Sequence, residues 1–326
     1  MPPPVIFGPD PMLVEGHRGA RYWIHEHYPF TGIAPVDERL SGYPVAVFQP
    51  HHRPPAETPV VIGLQGICAP YLWNSFLVST LMEMGIATVL FETPFAGERS
   101  LVRNGDANIV EELTPLLDHN YLIKGTLLES LMQGVSRDMR TVIKLLEDRH
   151  GLTSPRRALF GVSLGTLLSS YAFMKEGIGE RLLGTIGHAN LVAFARSYTP
   201  FFAPLILALP SRVVHRLGRL ILRRNLAAGL DFLAMLRELS GGEETFLKAN
   251  PMTYADQVQE DRLVHFLVGD ADPVVRTEDA LACASHFKHG ECYIVPGLGH
   301  GISVRGPSFI EHVRYYLATQ LGDWRG

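Results

Sequence analysis

Ser163 is the residue of this 326-residue chain best placed to act as a nucleophile. It lies in Gly161-Val162-Ser163-Leu164-Gly165, after the apolar run Arg157 to Phe160 and before Thr166 to Lys175, where Leu167, Leu168, Tyr171 and Ala172 recur at helical spacing. A strand that turns directly into a helix forces the intervening residue into a strained conformation, and flanking glycines remove the side chains that would clash there. The serine oxygen is then held out in the open. Gly-x-Ser-x-Gly by itself also fits an ordinary turn, so its meaning rests on partners elsewhere in the chain.

A serine nucleophile needs a base to take its proton and an anion to orient that base while it becomes charged. Of fourteen histidines, His300 has the best context: it ends Pro296-Gly297-Leu298-Gly299-His300, a loop after the last expected strand, where small neighbours leave room for the ring. His188, at the end of the strand beside Ser163, is the rival base and otherwise a pocket-lining residue. Two aspartates compete as orienter, Asp270 and Asp272, and Asp272 is favoured because Pro273 fixes the loop after it. The oxyanion formed on attack needs two backbone N–H donors. Leu164, next after the nucleophile, is one candidate, and Ile67, in the turn Gln65-Gly66-Ile67 after an apolar strand, is the other. Gln65 and Cys68 are pocket candidates; no basic partner or helix start adjoins Cys68 to make it a nucleophile.

Stepping outward, short β-branched runs at Val45 to Phe48, Val60 to Leu64, Ile86 to Phe91, Leu182 to Ile186, Leu263 to Val268 and Tyr293 to Val295 read as strands. Between them, Leu72 to Met84 (with Trp73, Phe76, Leu77, Leu81 and Met84 on one side), about Lys124 to His150, and Ser308 to Leu321 read as helices. The alternation predicts an α/β fold, a mostly parallel central sheet with right-handed crossovers. Residues 1–40, rich in Pro, Gly and His, are expected to pack as an N-terminal arm. The alternation breaks over 191–254, which carries apolar and basic helical segments and no convincing strand. This divides the chain into a core of 1–190, an inserted helical cap of 191–254 and the rest of the core, 255–326.

Within the cap, Thr199 to Pro210 is an apolar run of about a dozen residues, too short to span a bilayer. Ser211 then opens an amphipathic segment with Arg212, Arg216, Arg219 and Arg223 on one face. It reads as a lid burying its apolar side on the core, with peripheral lipid contact as the alternative. Either role favours an apolar acyl group in the substrate.

Hydrophobic residues make up 46% and charged residues 19%, as in an ordinary globular protein, and the net charge of −4 lacks the basic excess of a nucleic-acid binder. Three cysteines, Cys68, Cys283 and Cys292, are too scattered for a disulfide framework or a zinc site. With no basic segment leading into an apolar run at the N-terminus, the expected location is the cytoplasm. Composition says nothing of oligomeric state.

Taken together, Gly161-Val162-Ser163-Leu164-Gly165, Gly269-Asp270-Ala271-Asp272-Pro273 and Gly297-Leu298-Gly299-His300, in the order Ser, Asp, His, resemble the α/β-hydrolase superfamily over roughly 45–190 and 255–326. The chain departs from it in having Gln65-Gly66 where members often have His-Gly, and Thr166 where they often have a third glycine, which predicts looser helix–strand packing. The resemblance implies a serine hydrolase without metal or organic cofactor, acting on a small-molecule ester; thioesterases and peptidases share the fold. A non-catalytic binding protein of hydrolase shape is the reading from a different class.

Overall fold

The computed structural model of the chain describes residues 3–66, 69–101, 127–197, 237, 242–300 and 306–325. Nine strands form one sheet in the order β1-β2-β3-β5-β4-β6-β7-β8-β9. They are β1 Val5–Val14, β2 His17–His25, β3 Gly42–Phe48, β4 Val60–Leu64, β5 Ala87–Phe91, β6 Arg157–Val162, β7 Arg181–Thr185, β8 Leu263–Gly269 and β9 Gly290–Val295. From β5 through β4 to β9 every neighbouring pair is parallel, while β1, β2 and β3 add on antiparallel.

The parallel strands are short apolar runs because both their faces are covered. In β4, Val60, Ile62 and Leu64 join one core while Val61 joins the other. On the first side lie α1 (Ala34–Ser41), α3 (Leu127–His150), α4 (Leu164–Met174), α5 (Glu243–Ala249) and α6 (Thr277–Ala284). On the second lie α2 (Phe76–Glu83) and α7 (Pro307–Gln320). The long α3 buries Leu131, Val135, Met139, Val142, Leu145 and Leu146, the stripe expected of it, and ends on Gly151 at φ 66°.

Three sequence expectations change. The N-terminal segment, expected to pack as an arm, carries two full strands: β1 and β2 form a hairpin that extends the sheet, with β1 exposed along most of its length. An edge strand with water on both sides needs no apolar alternation, so the pattern that marks the inner strands is missing. The segment after Pro70 is a 3-10 turn, Tyr71–Asn74, followed by the shorter α2, and Trp73 is 43% exposed instead of facing inward with Phe76 and Leu77. The third concerns Thr166 and belongs with the site.

Of the segment 191–254, expected from sequence to form a cap, residues 191–197 are helical and α5 lies near its far end, followed by the 3-10 segment Pro251–Gln257; no strand occurs among the described residues of 191–254. The apolar run Thr199 to Pro210 and the arginine-bearing segment after it lie outside the described residues. Among the described residues, no helix is long and apolar enough to cross a membrane.

The ends of β8 and β9 are locked together at Gly269. A Cβ built there would lie 1.8 Å from the carbonyl oxygen of Leu298, so the loop that leads to His300 rests directly on strand backbone. Gly269→Ala is expected to cost about 1–3 kcal/mol through overpacking. Gly299→Ala, whose Cβ would meet, among the described residues, just the Ala271 carbonyl at 3.7 Å, is expected to stay within about 0.5 kcal/mol of wild type. Urea midpoints of the two variants check this; equal midpoints would show that the loop gives way without cost.

Candidate active site

Ser163 has φ 53° and ψ −117°, a combination that non-glycine residues rarely adopt. The backbone around it leaves no space for ordinary side chains. A Cβ on Gly161 would lie 2.4 Å from the Gly165 carbonyl oxygen, and one on Gly165 would lie 2.5 Å from the Leu64 carbonyl oxygen. Ile186, at the end of β7, is also at positive φ (41°), and the next residue, Gly187, comes close to the Ser163 carbonyl. A β-branched residue in that region is a clear outlier, so backbone strain falls both on the nucleophile and on the end of the neighbouring strand.

Thr166 does not loosen the turn. It is fully buried, and its Oγ1 lies 2.9 Å from the Gly161 carbonyl oxygen and 3.2 Å from that of Thr185. Room for it is made on the facing strand: a Cβ on Gly184 would lie 2.5 Å from Thr166 Cγ2, and one on Gly187 would lie 2.8 Å from Thr166 Cβ. The expected looser packing is thereby corrected. The small residues sit on β7 instead of on the helix.

Three of the residues singled out from sequence meet in a line. Ser163 Oγ lies 3.0 Å from His300 Nε2, and His300 Nδ1 lies 2.8 Å from Asp272 Oδ2. The Asp272 side chain is fully buried, and its other oxygen, Oδ1, accepts the N–H groups of Val274 (2.8 Å) and Val275 (2.9 Å). A carboxylate held in this way accepts from His300 Nδ1–H, leaving Nε2 as the ring nitrogen able to accept the serine proton. Asp270, the competing aspartate, is exposed and accepts the Gly297 N–H at 2.6 Å, so it ties down the loop before His300.

His188 is placed differently. It is 1% exposed; its Nδ1 accepts the Asn190 N–H at 3.1 Å, and its Nε2 has no hydrogen-bond partner among the described residues. Burial lowers its pKa to about 4, so it stays neutral. Gln65 is buried too, and its Nε2 donates to Thr93 Oγ1 at 3.0 Å and Glu92 Oε1 at 3.3 Å. Leu164 opens α4, where a backbone N–H has no carbonyl one turn earlier in the helix and the helix dipole is positive. Ile67 and Cys68 lie outside the described residues. Among the described residues, no group of three His, Cys, Asp or Glu side chains is arranged to hold a metal ion.

Sequence reasoning passed over Glu92, the residue that follows the strand Ile86 to Phe91. Glu92 is fully buried and sits beside Gln65 with its pKa raised to about 7, chiefly by burial. An acidic residue directly after an uninterrupted apolar strand was the available signal.

No family model matches the chain, and no curated protein matches it significantly. Solved structures do. Acetyl xylan esterase 1 from Thermoanaerobacterium sp. JW/SL YS485 superposes with a TM-score of 0.57 at 14% identity, covering 95% of this chain and 87% of that one. The chain has the α/β-hydrolase fold. A lipase in an open form (TM-score 0.55, 12% identity, 99% and 100% covered) and an esterase from Pyrococcus furiosus (0.51, 14%, 97% and 91%) share this α/β-hydrolase architecture.

The neutral, buried His188 links stability to pH. Its folded-state pKa lies below its unfolded value, so the unfolded chain takes up a proton that the folded one refuses, and stability is lost as pH falls from about 6.5 toward about 4. Relative to His188→Gln, the wild type is expected to lose on the order of 3 kcal/mol across that window. Urea unfolding of both proteins over this pH range measures it; a difference that does not change with pH would contradict the buried neutral ring.

Proposed function

We propose that this protein is a serine hydrolase that cleaves carboxylic esters through an acyl-enzyme, with a preference for an apolar acyl group. The observation that carries the reading is the continuous line Asp272 Oδ2, His300 Nδ1, His300 Nε2, Ser163 Oγ, with steps of 2.8 and 3.0 Å. The esterase and lipase names of the structural neighbours support it at the level of the reaction.

His300 Nε2 takes the Ser163 proton as Oγ attacks the ester carbonyl, and the carbonyl oxygen becomes an oxyanion. The Leu164 N–H at the start of α4 and the Ile67 N–H are the proposed donors to it. Asp272 stabilises the imidazolium. The proton then passes from Nε2 to the departing alkoxide, which leaves as the alcohol, and the acyl group remains on Oγ. Water, deprotonated by the same nitrogen, attacks the acyl-enzyme and releases the acid. The segment 191–254, read from sequence as a cap, would supply the apolar acyl site, a role suggested by the run Thr199 to Pro210.

Ser163→Ala is expected to reduce p-nitrophenyl ester hydrolysis to background with the thermal midpoint retained, and to abolish labelling by a fluorophosphonate. Asp272→Asn, which would hold His300 in the wrong tautomer, is expected to lower kcat by on the order of 10³- to 10⁴-fold. Turnover surviving in Ser163→Ala would dismiss Ser163 as nucleophile. Across an acyl series, kcat/KM should rise from acetate toward hexanoate and beyond; a series falling from acetate onward would reject the apolar acyl site.

A further inference from the structure

Glu92 does not touch the Ser163–His300–Asp272 line, yet it is one of the most heavily engaged side chains beside it. Oε1 accepts the Tyr71 N–H at 2.9 Å and Gln65 Nε2 at 3.3 Å, and Oε2 accepts the Glu98 N–H at 3.3 Å. Its own backbone is held as well: its N–H donates to the Pro44 carbonyl at 3.2 Å, and its carbonyl accepts Arg99 Nη1 at 3.1 Å. Gly97, at φ 43°, lets the turn close over the carboxylate, since a Cβ there would lie 2.3 Å from Oε2.

Gln65 and Tyr71 bracket the stretch that follows β4. Its start lies against the nucleophile: a Cβ on Gly66 would lie 3.6 Å from Ser163 Cβ, and the Gln65 carbonyl oxygen crowds Gly165 in the first turn of α4. One carboxylate oxygen therefore ties Gln65, next to Ser163, to Tyr71. Resting on the esterase reading above, we propose that Glu92 is a positioning residue that holds Gln65 and Tyr71, on either side of the proposed Ile67 donor, in register with Ser163. It acts through that stretch and touches no reacting atom. Oxyanion stabilisation depends on donors 2.7–3.1 Å from the developing charge, and a misplacement of about 1 Å can cost on the order of 10²-fold in rate.

Protonation weakens this clamp. An ionised carboxylate accepts all three donors, whereas the acid turns one oxygen into a donor facing an N–H group. Burial raises the Glu92 pKa to about 7. The charged and titratable groups facing it are Glu98 and Arg99 on the following 3-10 turn and Tyr71 on the segment after β4; Arg21 of β2 pairs with Glu98 at 3.2 Å, and Asp138 of α3 pairs with Arg99 at 2.6 Å. Gln65, from the end of β4, is neutral. Glu92→Gln resembles the protonated form at every pH.

With p-nitrophenyl butyrate at about pH 8, Glu92→Gln is expected to lower kcat by about tenfold with KM within about twofold. The affinity for a trifluoromethyl ketone, which places an oxyanion in the same position, should fall in step with kcat/KM. Because both proteins keep His300, the wild-type to Glu92→Gln ratio of kcat isolates Glu92: it should shrink toward one as pH falls from about 8 to about 6. Gln65→Met, which removes one anchor and keeps the carboxylate, should lower kcat by a smaller factor of about three, and it carries the test if Glu92→Gln does not fold. In whichever variant folds, an unchanged kcat and ketone affinity overturn the proposal; so does a kcat ratio for Glu92→Gln that is independent of pH. Ser163→Ala run alongside separates the two readings: inactive Ser163→Ala with fully active clamp variants defeats only the positioning role, whereas active Ser163→Ala defeats the esterase reading itself.

Discussion

The fold around the candidate site depends on one backbone constraint, the turn at Ser163. A serine at φ 53° is held there only because the surrounding chain over-determines its position. The parallel pairing of β6 with β4 and β7 fixes the entry, and α4 fixes the exit. Between them, Gly161 and Gly165 let the helix start within van der Waals reach of β4 and β6. Thr166 then reaches the Gly161 and Thr185 carbonyls, joining helix to both strands. The strain is local, and what opposes it is the packed sheet.

The second dependency is electrostatic. Asp272 is withdrawn from water, which is tolerable because the Val274 and Val275 N–H groups and His300 between them engage both its oxygens. Burial shifts other groups in the molecule: Glu92 and Asp138 are pushed up to about 7 and about 6, although both accept hydrogen bonds, Asp138 from Arg99, and His188 is pushed down to about 4. Arg99 itself is fully buried between the Tyr43 and Phe30 rings, 4.7 and 5.0 Å from their centroids, so aromatic faces complete its surroundings.

Much of this was legible in the sequence, for a physical reason that also explains the failures. Inner strands such as Val60–Leu64 and Ala87–Phe91 are apolar throughout because both faces are covered, and Gly161 and Gly165 announce a turn that tolerates nothing larger. Ser163 and Asp272 could be named because each follows such a strand, and His300 because its glycine-flanked loop follows the last one. The β1–β2 hairpin escaped because solvent covers much of it, and only the last three residues of Gly290–Val295 were read as strand, because Gly290 and Glu291 break the apolar run at its start. Thr166 was misjudged because the compensating glycines, Gly184 and Gly187, lie about twenty residues downstream and act only through pairing of β6 with β7. Glu92 was missed for a similar reason: what a buried carboxylate does depends on which N–H groups the fold brings to it.

The placement of the inserted helices follows from the same sheet. In a parallel sheet all strands point one way, and the residues that leave their carboxyl ends gather along one edge. Gln65 leaves β4, Glu92 leaves β5, Ser163 leaves β6, and the loops carrying Asp272 and His300 leave β8 and β9. The 191–254 segment leaves β7 through Gly187 and His188 and returns to the start of β8, so it emerges at that edge between the nucleophile strand and the strand that carries the orienting carboxylate. Leu191, Ala193 and Ala195 at its start and Phe246 and Ala249 near its end are buried, which anchors both ends of the insertion on the core. The strand pairing on either side of this position, β6 with β7 and β7 with β8, is continuous, so the chain leaves and re-enters the sheet here without interrupting the register that shapes the Ser163 turn.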